Sequence, residues 1–138
     1  MGRRAICLAA SLVCLLLTAC GGNDEAVHTC DGTPLSAQSI RLPPDFPIPG
    51  AVVLTKSRKA GPSQVVEGYF RGDLRSAYRQ WKSAFEGGGF AILFDELETE
   101  DSEISYSAPD LDSIGQVALR SDCEESERTF VHITNRPA

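Results

Sequence analysis

Two histidines and five cysteines carry most of the metal and redox chemistry open to this 138-residue chain. His28, Cys30, Cys123 and His132 hold the ligand atoms of a Cys2His2 zinc site, provided both cysteines are reduced and adjacent. Their spacing argues against it. Structural zinc ligands pair about two to four residues apart within each half, whereas His132 lies nine positions beyond Cys123. His132 falls between Val131 and Ile133, so on a strand it faces away from them, as a solvated or partner-bonded histidine rather than a catalytic one. No serine stands in a Gly-x-Ser-x-Gly elbow. The acids crowd at Asp95, Glu96, Glu98, Glu100, Asp101 and Glu103, and again at Asp122, Glu124, Glu125 and Glu127. Neither run has the glycine-hinged spacing of a calcium loop; charged hairpin ends that keep sheet edges soluble are the reading they support. No catalytic residue, metal or cofactor is assigned.

A separate chemistry sits at the start of the chain. Arg3 and Arg4 form a basic n-region, and Ala5 to Leu17 form an apolar run of roughly 13 residues, the length of a signal-peptide core. A bilayer span needs about 20. The run closes on Leu17, Thr18, Ala19 and Cys20, which resembles the lipobox of bacterial lipoproteins. The resemblance implies a signal peptide over residues 1–19, cleavage before Cys20, diacylglycerol on its sulfur, and a further fatty acyl chain such as palmitate on the new amine. Two or three acyl chains hold a protein stably on a membrane, each buried methylene adding roughly 0.8 kcal/mol. It also implies an extracytoplasmic address on the cell envelope. Gly21 resembles the residues that permit outer-membrane delivery in a diderm host. An ordinary secretory signal and, from Arg3 and Arg4, a twin-arginine signal are the alternatives.

That address makes the cysteine count informative. Cys7 and Cys14 leave with the signal and Cys20 carries lipid, so Cys30 and Cys123 remain to form a disulfide in an oxidising compartment. Processing also removes two of 13 basic residues and none of 19 acids, which leaves a formal charge of about −8. Such a charge repels phosphate backbones and anionic headgroups, and nucleic acid is excluded as a partner.

Positioning these groups falls to a single domain, since 42% apolar and 23% charged residues are ordinary globular values and the length leaves no room for a second domain. Residues 20–29 read as a lipidated flexible tether, and residues 30–138 as the domain. Its entry strap, 36–50, is stiffened by Pro43, Pro44, Pro47 and Pro49. Ala51 to Lys56 and Gln64 to Arg71 are expected to form a hairpin. Asp73 caps a helix whose stripe is Leu74, Ala77, Tyr78, Trp81, Ala84 and Phe85, stopped by Gly87 to Gly89. Phe90 to Thr99, Glu103 to Ser107, Ile114 to Arg120 and Arg128 to Asn135 follow as strands. Within them Phe90, Ile92 and Phe94, Ile104 and Tyr106, Val117 and Leu119, and Val131 and Ile133 are expected on one buried face.

The fold class is therefore α+β: one amphipathic helix packed on a curled antiparallel sheet, in the order β-β-α-β-β-β-β. The layout loosely resembles small uncharacterised envelope lipoproteins with a proline-rich entry, here Pro43 to Gly50, and a helix ending in glycine plus an aromatic, here Gly89 and Phe90. That likeness transfers no catalytic residue. The expected role is a membrane-anchored envelope module that is not an enzyme and binds a protein or cell-wall partner. The alternative is a small enzyme or solute binder with a pocket between helix and sheet.

Overall fold

A computed structural model of the chain describes residues 27–108, 110 and 112–137. The expected signal segment, Cys20 and the expected tether as far as residue 26 lie outside the described residues. After a 3-10 turn at Ala37–Ser39 come β1 (Val52–Ala60), β2 (Ser63–Arg71), α1 (Leu74–Gly87), β3 (Ala91–Leu97), β4 (Asp101–Ala108), β5 (Ser113–Arg120) and β6 (Arg128–Arg136). The fold is α+β, one helix on a six-stranded sheet in the spatial order β1-β2-β6-β5-β4-β3, every neighbouring pair antiparallel. The last strand thus enters between β2 and β5, and the helix carries the chain from β2 to the far edge at β3.

The helix forms where its sequence calls for it. Asp73 accepts from Ser76 N–H and Ser76 Oγ–H, each at 2.8 Å, satisfying a first-turn amide and holding its own carboxyl below the usual range, chiefly through the backbone bond. At the other end Gly89 turns left-handed (φ 75°), which lets Phe90 N–H reach Phe85 C=O at 3.0 Å. The rings of Phe85 and Phe90 then meet with centroids 5.5 Å apart, the apolar contact that accompanies this type of helix stop.

Leu74, Ala77, Trp81 and Phe85 are buried from the helix side. Facing them across the sheet lie Ile104, Val117, Ile133 and Val66 in one register row, and Leu119 and Val131 in the next. The strap completes this layer. Phe46 sits within 5.5 to 6.3 Å of the rings of Trp81, Phe85, Phe90 and Tyr106, so the chain that enters before β1 closes the far end of the helix–sheet space. Trp81 is fully buried, and its Nε1–H has no partner among the described residues. An unmade bond of this kind costs about 1–3 kcal/mol. Removing some 150–250 Å² of ring from water contributes roughly 4–6 kcal/mol at about 25 cal/mol/Å², so burial outweighs the orphaned donor.

The alternation expected for β3 stops halfway. Ile92 pairs with Tyr106, but Phe94, not Leu93, pairs with the next residue back, Ser105. This one-residue bulge reverses the parity of the strand. Phe94, expected inside with Phe90 and Ile92, is 51% exposed beside Leu93 at 58%. In its place Asp95 turns inward, opposite Ile104, and meets the helix: the Tyr78 hydroxyl and Lys82 Nζ both donate to its Oδ2, the latter at 3.0 Å. β1 also runs four residues past its expected end at Lys56, because its ladder with β2 continues to Ala60↔Ser63 and overrides the polar sequence there.

The bond from Tyr78, then that from Lys82, hold the Asp95 carboxyl below its ordinary value of 3.8. The lowered folded value means that this contribution to stability is present above pH 3.8 and is lost as the pH falls through the depressed titration. Asp95→Asn, which keeps an acceptor for Tyr78, is expected to flatten the loss of stability below pH 4. Urea midpoints measured down that range check it, and equal slopes in parent and variant would contradict the clamp.

Candidate functional site

The side of the sheet facing away from α1 holds both histidines and the two described cysteines. Cys30 and Cys123 are joined by a disulfide, Cα to Cα 5.5 Å. The bond engages both sulfurs, so the zinc arrangement of two thiolates with His28 and His132 does not form. The bridge fixes a short segment against the loop before β6: His28 N–H donates to Asp122 C=O and Glu124 N–H donates to His28 C=O, each at 2.9 Å. Glu125 accepts from Cys30 N–H at 2.8 Å and Glu124 from the Thr29 hydroxyl at 3.3 Å. The second acidic run is thus occupied in holding the incoming chain, with Arg128 donating to Cys30 C=O and lying over the Tyr69 ring at 4.5 Å.

The two histidines flank one aromatic ring. His28 stacks on Phe130 with centroids 3.8 Å apart, and His132 lies at 6.4 Å on a tilted plane. Each addresses its own carboxylate, His28 to Asp122 at 3.8 Å and His132 to Glu67 at 3.3 Å. Among the described residues no group of three His, Cys, Asp or Glu side chains gathers as a metal site. His28 belongs to the folded body, whereas sequence reading places it in the tether; its anchors, Asp122 and Phe130, are about a hundred positions away and leave no local signal.

Three buried hydroxyls, those of Tyr106, Ser113 and Thr129, are committed to structure, whereas Ser102 Oγ has no partner among the described residues. Tyr106 donates to Asn135 Oδ1 at 2.8 Å and Ser113 donates to the same oxygen, and burial pushes the Tyr106 phenol well above its ordinary range. The bond to Asp95 likewise raises Tyr78. Both phenols stay protonated at neutral pH, and neither acts as a base.

What remains is surface. Beyond the patch covered by the disulfide segment, the outer face presents Phe94, Ser105, Gln116 and Thr134 in one register row, and Glu96, Glu103, Ala118 and His132 in the next. A shallow groove of about 380 Å³ crosses it between Leu93, Ile114, Gln116 and Arg136. At the β3–β4 turn a larger groove of about 530 Å³ is walled by Glu98, Glu100, Asp101, Asp122 and Arg120. Another, of about 510 Å³, lies between the start of α1 and the same turn and includes Asp73, already used as the helix cap, and Arg75. Leu93 and Phe94 are the residues that sequence reasoning misses. Their signal was present: Phe90 to Phe94 includes an apolar residue at both parities, which a sheet buried on one face does not require.

Breaking the disulfide by Cys30→Ser with Cys123→Ser should lower stability by about 2–4 kcal/mol, given the long loop it closes, while the sheet persists because the helix-side core does not touch the bridge. Thermal melts with far-UV circular dichroism check this; an unchanged melt would show that the bridge contributes nothing.

Compared with protein-family models, curated proteins and solved structures, the chain matches none. Its function has to follow from its own residues and geometry.

Proposed function

We propose that this protein is a lipid-anchored lipoprotein of the bacterial cell envelope, in the outer membrane where the host is diderm, and that its domain is a non-enzymatic module that binds another protein along β3. The observation that carries the binding role is the pair Leu93 and Phe94, 58% and 51% exposed on a strand at the end of the sheet. Single exposed apolar residues need no explanation. Two large ones on an edge with no strand partner among the described residues are different, because an open strand with apolar side chains is a template for another chain and is retained at a cost unless something uses it.

The envelope address rests on Leu17 to Cys20 and is supported by the Cys30–Cys123 disulfide, a bond kept in oxidising compartments. No helix among the described residues is long and apolar enough to cross a membrane; on this reading acylated Cys20 supplies the attachment to the bilayer. The sheet curls about the helix, helped by bulges in both edge strands, between Leu54 and Lys56 and between Ile92 and Phe94, each adding local twist. The enzyme or solute-binder alternative has less support: the space between α1 and the sheet is filled by Phe46, Trp81, Phe85 and Tyr106, and the grooves lie on the rim and outer face.

Cys20→Ala should abolish incorporation of labelled lipid and release the domain or leave it as precursor; equal labelling in parent and variant would remove Cys20 as the anchor. A photo-crosslinking amino acid at Phe94 should trap a discrete protein adduct in native membranes, while the same group at Gln80, on the exposed side of α1, should not. Identical outcomes at the two positions would end the binding-edge reading.

A further inference from the structure

The sheet has two edges, and they are opposite in charge. β3 carries Glu96 and continues into Glu98 and Glu100, while the end of β1 carries Lys56, Arg58 and Lys59. Near its start β1 is covered by the chain just ahead of the strap, Leu35 N–H donating to Leu54 C=O at 2.8 Å. From Lys56 to Ala60 its outward side takes no backbone bond from another segment among the described residues, and the outward side of β3 is equally open.

Neither edge suits a copy of itself. Acids would face acids and bases would face bases, a like-charge juxtaposition that deters pairing. Each suits the other. Six strands alternate in direction across the sheet, so a second molecule in the same orientation brings its β1 alongside β3 antiparallel, and the sheet continues with its pleat intact. The faces also agree. Lys56 and Arg58 lie in the outer-face rows of Glu67 and Val65, the rows that reach Glu96 and Phe94 at the other edge. Setting Arg58 opposite Glu96 places Lys56 opposite Glu98 and Ala60 opposite Phe94, with the turn at Gly61 and Pro62 over Leu93.

β3 already bears a matching electrostatic cost. Glu96 and Glu103 are direct cross-strand partners, a like-charge pair that destabilises a sheet, and neither has a cationic partner within 4.0 Å among the described residues. A guanidinium arriving beside Glu96 relieves that repulsion and covers Phe94 at once.

We infer that the occupant of the β3 edge is the Lys56–Ala60 edge of a second copy of this chain, joined head to tail. Such a contact uses different surfaces on its two sides and does not close on itself, so it builds open rows rather than a fixed dimer. Anchorage in one membrane would confine all copies to one surface and raise their effective concentration for the pairing. This inference rests on the binding role given to β3 and supplies its partner.

The test uses the full lipidated chain in native membranes, with the photo-crosslinker at Phe94 and two differently tagged copies. Expected is an adduct between Phe94 of one copy and the segment 56–62 of the other, seen as a ladder of multimers. Glu96→Arg or Arg58→Glu alone should reduce the ladder roughly tenfold, because like charges then meet; co-expressing the two variants should restore it, because opposite charges meet again at every contact. An adduct with a different protein, or with β3 of the second copy, overturns the head-to-tail row and leaves the binding role of β3 standing. Absence of any adduct overturns both. A ladder indifferent to the single charge reversals, or unrestored by their combination, also overturns the row. Far-UV circular dichroism of each variant establishes that both fold.

Discussion

One residue inserted between Ile92 and Phe94 decides which side chains of β3 face the helix and which face away. Because the strand period is two, everything after the bulge changes sides. Asp95 moves under α1, where Tyr78 and Lys82 hold it, and Leu97 moves into the core layer. Leu93 and Phe94 are left on the outside of an edge strand. Anchorage of the helix at this edge and the exposed apolar pair are thus two results of one backbone irregularity, and a change that straightened β3 would exchange an ion-paired clamp for a buried phenylalanine.

Much of this architecture can be read from local sequence. The helix stripe, the Asp73 cap and the glycine stop are contained within a few residues of each other, and the structure places them as those spacings require. β4 is nearly as plain: Ile104 and Tyr106 are buried as their alternation requires, although the strand starts two residues earlier, at Asp101, and ends one later, at Ala108, which adds buried Ser102 and Ala108. The pairing of Cys30 with Cys123 follows from chemistry, once an oxidising address is taken from Leu17 to Cys20. The features that escape are set by distant partners. The bulge exists only in the register between β3 and β4, the docking of His28 depends on Asp122 and Phe130, and the entry of β6 between β2 and β5 is a matter of how layers close. The outer face of β3 escapes for the same reason, because its exposure depends on a parity that no local pattern carries.

Two cores of unequal weight stabilise the two faces. On the helix side the aromatic cluster around Phe46 and Phe85 draws on the strap, the helix and the sheet together. On the outer side a smaller cluster of Cys30, Val53 and Tyr69, with Cys123 and Phe130 packed against it, covers only the sector near β1, β2 and β6. The remainder of that face has no cover among the described residues, which is the ordinary state of a sheet with one solvated side. What distinguishes it here is the apolar pair at its border.

The position of the disulfide also governs how the domain bears load. A pull applied to the chain ahead of Cys30 divides at the bridge. One covalent route to β3 leads through Cys123 and back along β5 and β4; the other leads forward through the strap, β1, β2 and α1. The first is much the shorter, so once the ladders yield and the chain extends it becomes taut before the second. The sector that holds Phe46, and with it the closed end of the core, lies on the longer route. In this sense the cystine works as a mechanical bypass, whatever it adds to equilibrium stability.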